Sequence, residues 1–108
     1  MTIKTSQELK HAEGVVERRR NIANNVGEST TKKDALYRHG ELSGAVREVR
    51  KHLNNILTEV DNEGAGHALS AQELLAETLV WVDNSRLALS DWGVTESEIS
   101  SIEKGAGI

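Results

Sequence analysis

Residues 42–60 read LSGAVREVRKHLNNILTEV, and one apolar ladder runs through them: Leu42, Val46, Val49, Leu53, Ile56 and Val60. The steps alternate between four and three residues. That is the 3.5-residue period of a helix whose apolar stripe packs along another helix. Ala35 and His39 extend the ladder backwards in the same register. A helix from the Ser29–Thr31 region to Val60 has roughly 29 residues and a length of roughly 43 Å. Such a rod is long for a chain of 108 residues. The fold is therefore expected to be elongated, or this helix to project into a second subunit.

The rest of the chain agrees with an all-α fold. It has no proline, and proline is the residue that ends or kinks helices. It has no phenylalanine and no cysteine, and its aromatic residues are Tyr37, Trp81 and Trp92. The core must come from Leu, Val, Ile and Ala. The absence of cysteine excludes disulfides and thiolate metal sites. The polar N-terminus lacks a signal-peptide apolar region, and no stretch approaches the roughly 20 apolar residues of a membrane span. A cytoplasmic protein of one domain, residues 1–108, is the expectation.

Capping signals divide the helices. Thr5 and Glu8 have the spacing of a capping box, which predicts a first helix from Thr5 to about Val26, stopped by Gly27. Its stripe, Leu9, Ala12, Val16, Ala23 and Val26, is interrupted by Arg19. The segment 61–68, DNEGAGHA, reads as a loop. Ser70 and Glu73 form a second box, flanked by Leu69 and Leu74 as a hydrophobic staple, so a third helix is predicted from Ser70. Its apolar face is Leu75, Leu79, Val82 and Leu89. Asp91, Trp92 and Gly93 read as a turn. Thr95 and Glu98 make a third box, with Val94 and Ile99 as its staple, before a short fourth helix over about 96–103. The predicted architecture is an elongated helical bundle. Its first two long helices form an antiparallel hairpin, with helix 3 and a short C-terminal helix 4 packed on it.

Chemistry-bearing patterns are sparse. Counted from Asp61, the loop before helix 3 is similar to a calcium-binding EF-hand at its first position and at its glycine, Gly66. Its fifth and twelfth positions are Ala65 and Gln72, where calcium needs oxygen ligands. Glu8-x-x-His11 has the spacing used in di-iron bundles, which require two such motifs, and only one is present. Glu48 and His52 lie one turn apart as an ordinary surface pair. His39 on a long helix is similar to phosphotransfer domains and kinase dimerisation helices, but the residues after it follow neither pattern. It reads instead as a seam histidine. Gly40 and Gly44, four apart, imply either a close backbone approach or a bend. No catalytic residue, metal ligand or cofactor site is assigned, and the chain is read as not an enzyme.

Charge is uneven. Residues 1–54 carry 11 Lys and Arg against 7 Asp and Glu, and residues 55–108 carry 2 against 10. The two halves can complement each other within the fold or steer an outside partner. The leading expectation is a protein-binding or assembly module, self-associating as a homodimer through Leu42, Val46, Val49, Leu53, Ile56 and Val60. The alternative is a small acidic inhibitor or immunity-type protein, of phage or mobile-element kind. It would block a basic target through Glu59, Asp61, Glu63, Glu73, Glu77, Asp83, Asp91 and Trp92. A further alternative is nucleic-acid binding through the basic half, Arg18, Arg19, Arg20, Lys32, Lys33, Arg47, Arg50 and Lys51. Against it stand the overall charge of −4 and the absence of an aromatic platform.

Overall fold

The computed structural model describes residues 4–25, 28–58 and 62–107. Four α-helices follow in chain order: α1 (Thr5–Asn24), α2 (Lys32–Thr58), α3 (Gly64–Asp91) and α4 (Glu96–Gly105). No strand occurs among the described residues. The all-α bundle is elongated, measuring 48 × 24 × 19 Å. Its radius of gyration of 15.2 Å exceeds the roughly 13 Å of an ordinary compact chain of this length. The three long helices pack on one another, and α4 packs on α2.

The ladder on α2 forms the core. Leu42, Val46, Val49 and Ile56 are at most 1% exposed and Leu53 is 7% exposed. Around the middle of the ladder, Ala12, Val15 and Val16 come from α1 and Trp81 and Val82 from α3. Leu53 and Ile56 meet Ala68 and Ala71 of α3, with Leu9 of α1 beside them. At the other end Ala35 meets Leu89, Val94 and Ile99. The ladder is thus covered within one chain. Leu42, Val46, Val49, Leu53 and Ile56, expected to form a homodimer seam, are buried against α1 and α3 of the same chain. Val60, the sixth residue of that set, lies outside the described residues.

This cover comes from the length and composition of α3. The helix begins at Gly64, six residues before the expected Ser70. Its 28 residues therefore match the 27 of α2. Two glycines disfavour a helix there by roughly 1 kcal/mol each relative to alanine. Tertiary contacts offset that cost. Ala68 and Ala71 pack beneath Leu53 and Ile56, and the Nδ1 of His67 meets the Thr5 hydroxyl at 2.7 Å. Ser70 and Glu73 consequently lie on an exposed helical surface and form no cap. The inward ladder of α3 is Ala68, Ala71, Leu75, Thr78, Val82, Ser85 and Leu89, again in steps of three and four. Leu79 falls off this line and is exposed.

Of the other two expected capping boxes, the first is replaced by tertiary bonds. Thr5 is buried inside the first turn of α1, after an N-cap at Lys4 that makes no side-chain bond. Glu8 turns instead to His52, 2.6 Å away. Helix α1 ends at Asn24, while Val26 and Gly27 lie outside the described residues. The third box forms as read: the Thr95 hydroxyl accepts from the Glu98 amide at 3.2 Å, and Glu98 reaches back to the Thr95 amide. At the head of α2, the Thr31 hydroxyl accepts from the Asp34 amide at 3.0 Å. Gly93, with φ of 73°, makes the turn into α4.

Helix α2 runs without interruption through Gly40 and Gly44. A Cβ at Gly40 would meet only the Ile102 side chain, at 3.8 Å, and one at Gly44 would meet nothing within 4 Å. No backbone approaches either glycine that closely. Gly44→Ala should therefore stabilise the chain by about 1 kcal/mol through helix propensity alone. Thermal unfolding followed by circular dichroism should show a Tm rise of about 4 °C or more. An unchanged or lowered Tm would mean that the backbone at Gly44 is not plain helix.

Candidate functional site

Three features stand out: two clusters of polar side chains between helices, and one outer helix face. The first cluster joins α2, α3 and α4. His39 is fully buried, with its Nδ1 2.8 Å from the Ser85 hydroxyl and its Nε2 2.8 Å from Glu103 Oε2. Arg86 donates to both oxygens of Glu103, from its Nε at 2.7 Å and from a second nitrogen. The order serine, histidine, carboxylate is that of a hydrolytic triad. Here Ser85 and His39 are both at 0% exposure, so a substrate has no path to the hydroxyl. The set acts as a clamp that ties α4 to the α2–α3 pair. Arg86 holds the Glu103 carboxyl below its ordinary value, outweighing the opposing effect of burial, and His39 adds to the lowering.

The second cluster lies between α1 and α2. Glu8 and His11 share a face of α1, and His52 meets them from α2. His52 Nδ1 is 2.6 Å from Glu8 Oε2. The His11 and His52 rings stand edge to face, 5.4 Å between centroids. One donor atom from each of the three residues lies within 4.8 Å of the other two. Burial pushes the Glu8 carboxyl up. Hydrogen bonds from His52 and Asn55 and the charges of His52 and His11 outweigh it, so the net displacement is downward. Beside the cluster runs a groove of about 400 Å³ lined by Lys10, Arg18, Arg47, Glu48 and Lys51 with the two histidines. The sequence joined Glu48 to His52, and the structure separates them: Glu48 takes Arg19 at 3.2 Å and His52 takes Glu8.

The third feature is the outer face of α3. Leu69, Ala76, Val80 and Leu87 are exposed and fall on one line at helical spacing. Leu69, Val80 and Leu87 are 63%, 54% and 69% exposed. Glu73 and Asp83 lie within the same strip and form no ion pair among the described residues. The sequence did not mark this face, because the strip is diluted by Ala76 and two acids.

The acidic residues assigned to partner binding do not form one patch. Glu59 and Asp61 lie outside the described residues. Glu63 and Asp91 lie at opposite ends of α3, about 40 Å apart by helical rise. Glu77 turns towards α1 and pairs with Arg20 at 2.9 Å. Trp81 is a core residue, while Trp92 is 40% exposed beside Asp91 at the end of α3. The basic residues divide: Arg18, Arg47 and Lys51 line the groove beside His11 and His52, while three others are taken up in ion pairs. Arg19 reaches Glu48 and Glu41, Arg20 reaches Glu17 and Glu77, and Lys32 reaches Glu98. Part of the charge asymmetry is therefore internal pairing. Among the described residues, no helix is long and apolar enough to cross a membrane.

No protein-family model, no curated protein and no solved structure matches the chain.

Glu103 and Glu8 are both more acidic in the fold than their ordinary value of 4.5. Their stabilising contribution is complete above that value and is lost as the pH falls through their lower folded values. The acid-side fall in Tm should thus be concentrated below pH 4.5. Glu103→Gln should cost about 1.5–3 kcal/mol at neutral pH, the scale of a hydrogen bond to a charged group, and should make that fall shallower. Thermal melts of the two proteins between pH 7 and pH 3 check this; parallel curves would remove Glu103 from the clamp.

Proposed function

We propose that the chain is a non-enzymatic protein-binding module, and that its docking surface is the outer face of α3. The observation that carries this reading is the line Leu69, Ala76, Val80 and Leu87, left exposed while the opposite face of the same helix is buried. Apolar side chains aligned on a helix are the usual anchors for an amphipathic partner helix. Isolated exposed leucines need no explanation; several in register along four to five turns do.

Charge selects the occupant. Glu73 and Asp83 sit among the anchors, and the only cation on α3, Arg86, is engaged by Glu103. The complementary partner is a helix with leucine-like residues on one face and Lys or Arg beside them. A second copy of this chain fits less well. The line is symmetric about residue 78, so an antiparallel pair of α3 helices would set Leu69 against Leu87 and Ala76 against Val80. The same symmetry sets Glu73 against Asp83 twice, and facing like charges oppose such pairing. The reading keeps the acidic surface expected for an inhibitor of a basic target, and narrows it to Glu73 and Asp83 with Trp92 beyond the end of the line.

A helical peptide with leucines at heptad spacing flanked by lysines is the direct probe. Fluorescence anisotropy should show saturable binding that weakens as salt screens the charges and retains an apolar remainder. Val80→Asp with Leu87→Asp should reduce affinity at least tenfold without changing the fold, because both side chains are exposed. Equal affinity for the double variant, or a dimer of this chain that buries the same face, would overturn the proposal.

A further inference from the structure

The geometry points to a second site, for a divalent transition metal, built by Glu8 and His11 of α1 and His52 of α2. Zinc is the metal that the donor set fits. Two imidazoles and one carboxylate suit a borderline ion, whereas calcium and magnesium take oxygen ligands.

The placement follows from the hairpin. Glu8 and His11 are three residues apart and therefore neighbours on α1. The antiparallel course of α2 brings His52 to the same level. The three donor atoms lie within 4.8 Å of one another. Around a tetrahedral zinc, with bonds of about 2.0–2.2 Å, donors stand about 3.3 Å apart. Closing the difference needs a small rotation of His11, and that residue is exposed and free to make it. Glu8 and His52 are already in contact at 2.6 Å, and a metal between them would take the place of that hydrogen bond and spread the two donor atoms to the same spacing.

Glu8 is held at 6% exposure, so the carboxylate is positioned before any ion arrives. Its pairing with His52 explains those two residues. It does not explain His11, whose ring is set against His52 although it has solvent available. A third donor converging on an existing pair is what distinguishes a metal site from an ion pair. Three protein ligands leave zinc an open coordination position. The adjoining groove carries Lys10, Arg18, Arg47 and Lys51, so an anion is the favoured fourth ligand.

Tag-free, metal-free protein titrated with zinc chloride against a chromophoric chelator at pH 7.5 tests the site. One zinc per chain should bind with a Kd in the micromolar range or tighter, unaffected by millimolar magnesium or calcium. Zinc should also raise the Tm. His11→Ala removes an exposed ligand without touching the core and should weaken binding at least tenfold, with the far-ultraviolet spectrum unchanged. Nitrogen-15 spectra of the histidine rings should show zinc-dependent shifts at His11 and His52 and none at His39. Absence of one-to-one binding, or equal affinity in His11→Ala, would overturn the site. Val80→Asp with Leu87→Asp should leave zinc affinity unchanged, so this proposal and the docking face on α3 stand or fall separately.

Discussion

Removal of the α2 stripe from water is the constraint from which the rest of the structure follows. Leu42, Val46, Val49, Leu53 and Ile56 run the length of one helix, and each is buried by α1, α3 or both. Each such side chain contributes about 1.5–3 kcal/mol when fully buried. With almost no aromatic residues available, this aliphatic line is the main apolar resource of the chain. It needs a cover of its own length. That need draws α3 through two glycines and sets its start at Gly64. Once α3 lies inward along Ala68, Ala71, Leu75, Thr78, Val82, Ser85 and Leu89, its opposite face is turned outward.

Polar residues at ladder positions fix the alignment of the helices. Thr5 and Glu8 of α1, His39 of α2 and Ser85 of α3 all occupy inward-facing positions. Each finds a specific partner on another helix: His67, His52, and one another. A buried polar group without a partner costs about 1–3 kcal/mol. Sliding any helix by one turn would strand several of these groups at once. The aliphatic residues supply most of the stability and tolerate several registers; the polar pairs select one. Glu103 extends the same logic to α4, which has few apolar contacts of its own.

The all-α class, the four helices, the Asp91–Gly93 turn and the Thr95 capping box are legible in the sequence, because local periodicity and capping chemistry determine them. The start of α3 is not. Its local signal, Ser70 with Glu73, is weaker than the packing of Ala68 and Ala71, which only the folded chain reveals. The homodimer expectation weighs the α2 ladder by its large apolar residues. A covering ladder that includes alanine, threonine and serine among its leucines and valine gives a much weaker signal of this kind. The cluster of Glu8, His11 and His52 was half legible, since the spacing of the first two residues is visible. Its third member depends on where α2 crosses α1. The docking strip on α3 becomes visible only when the buried face is known, because exposure is a property of the fold and not of the residues.

The α2 ladder is satisfied within one chain. Native-state hydrogen exchange of the amides from Leu42 to Ile56, measured at two protein concentrations a hundredfold apart, tests it most directly. An intramolecular core predicts that these amides exchange only by global unfolding, with the same protection at both concentrations. Protection that grows with concentration would show instead that a second copy covers the ladder.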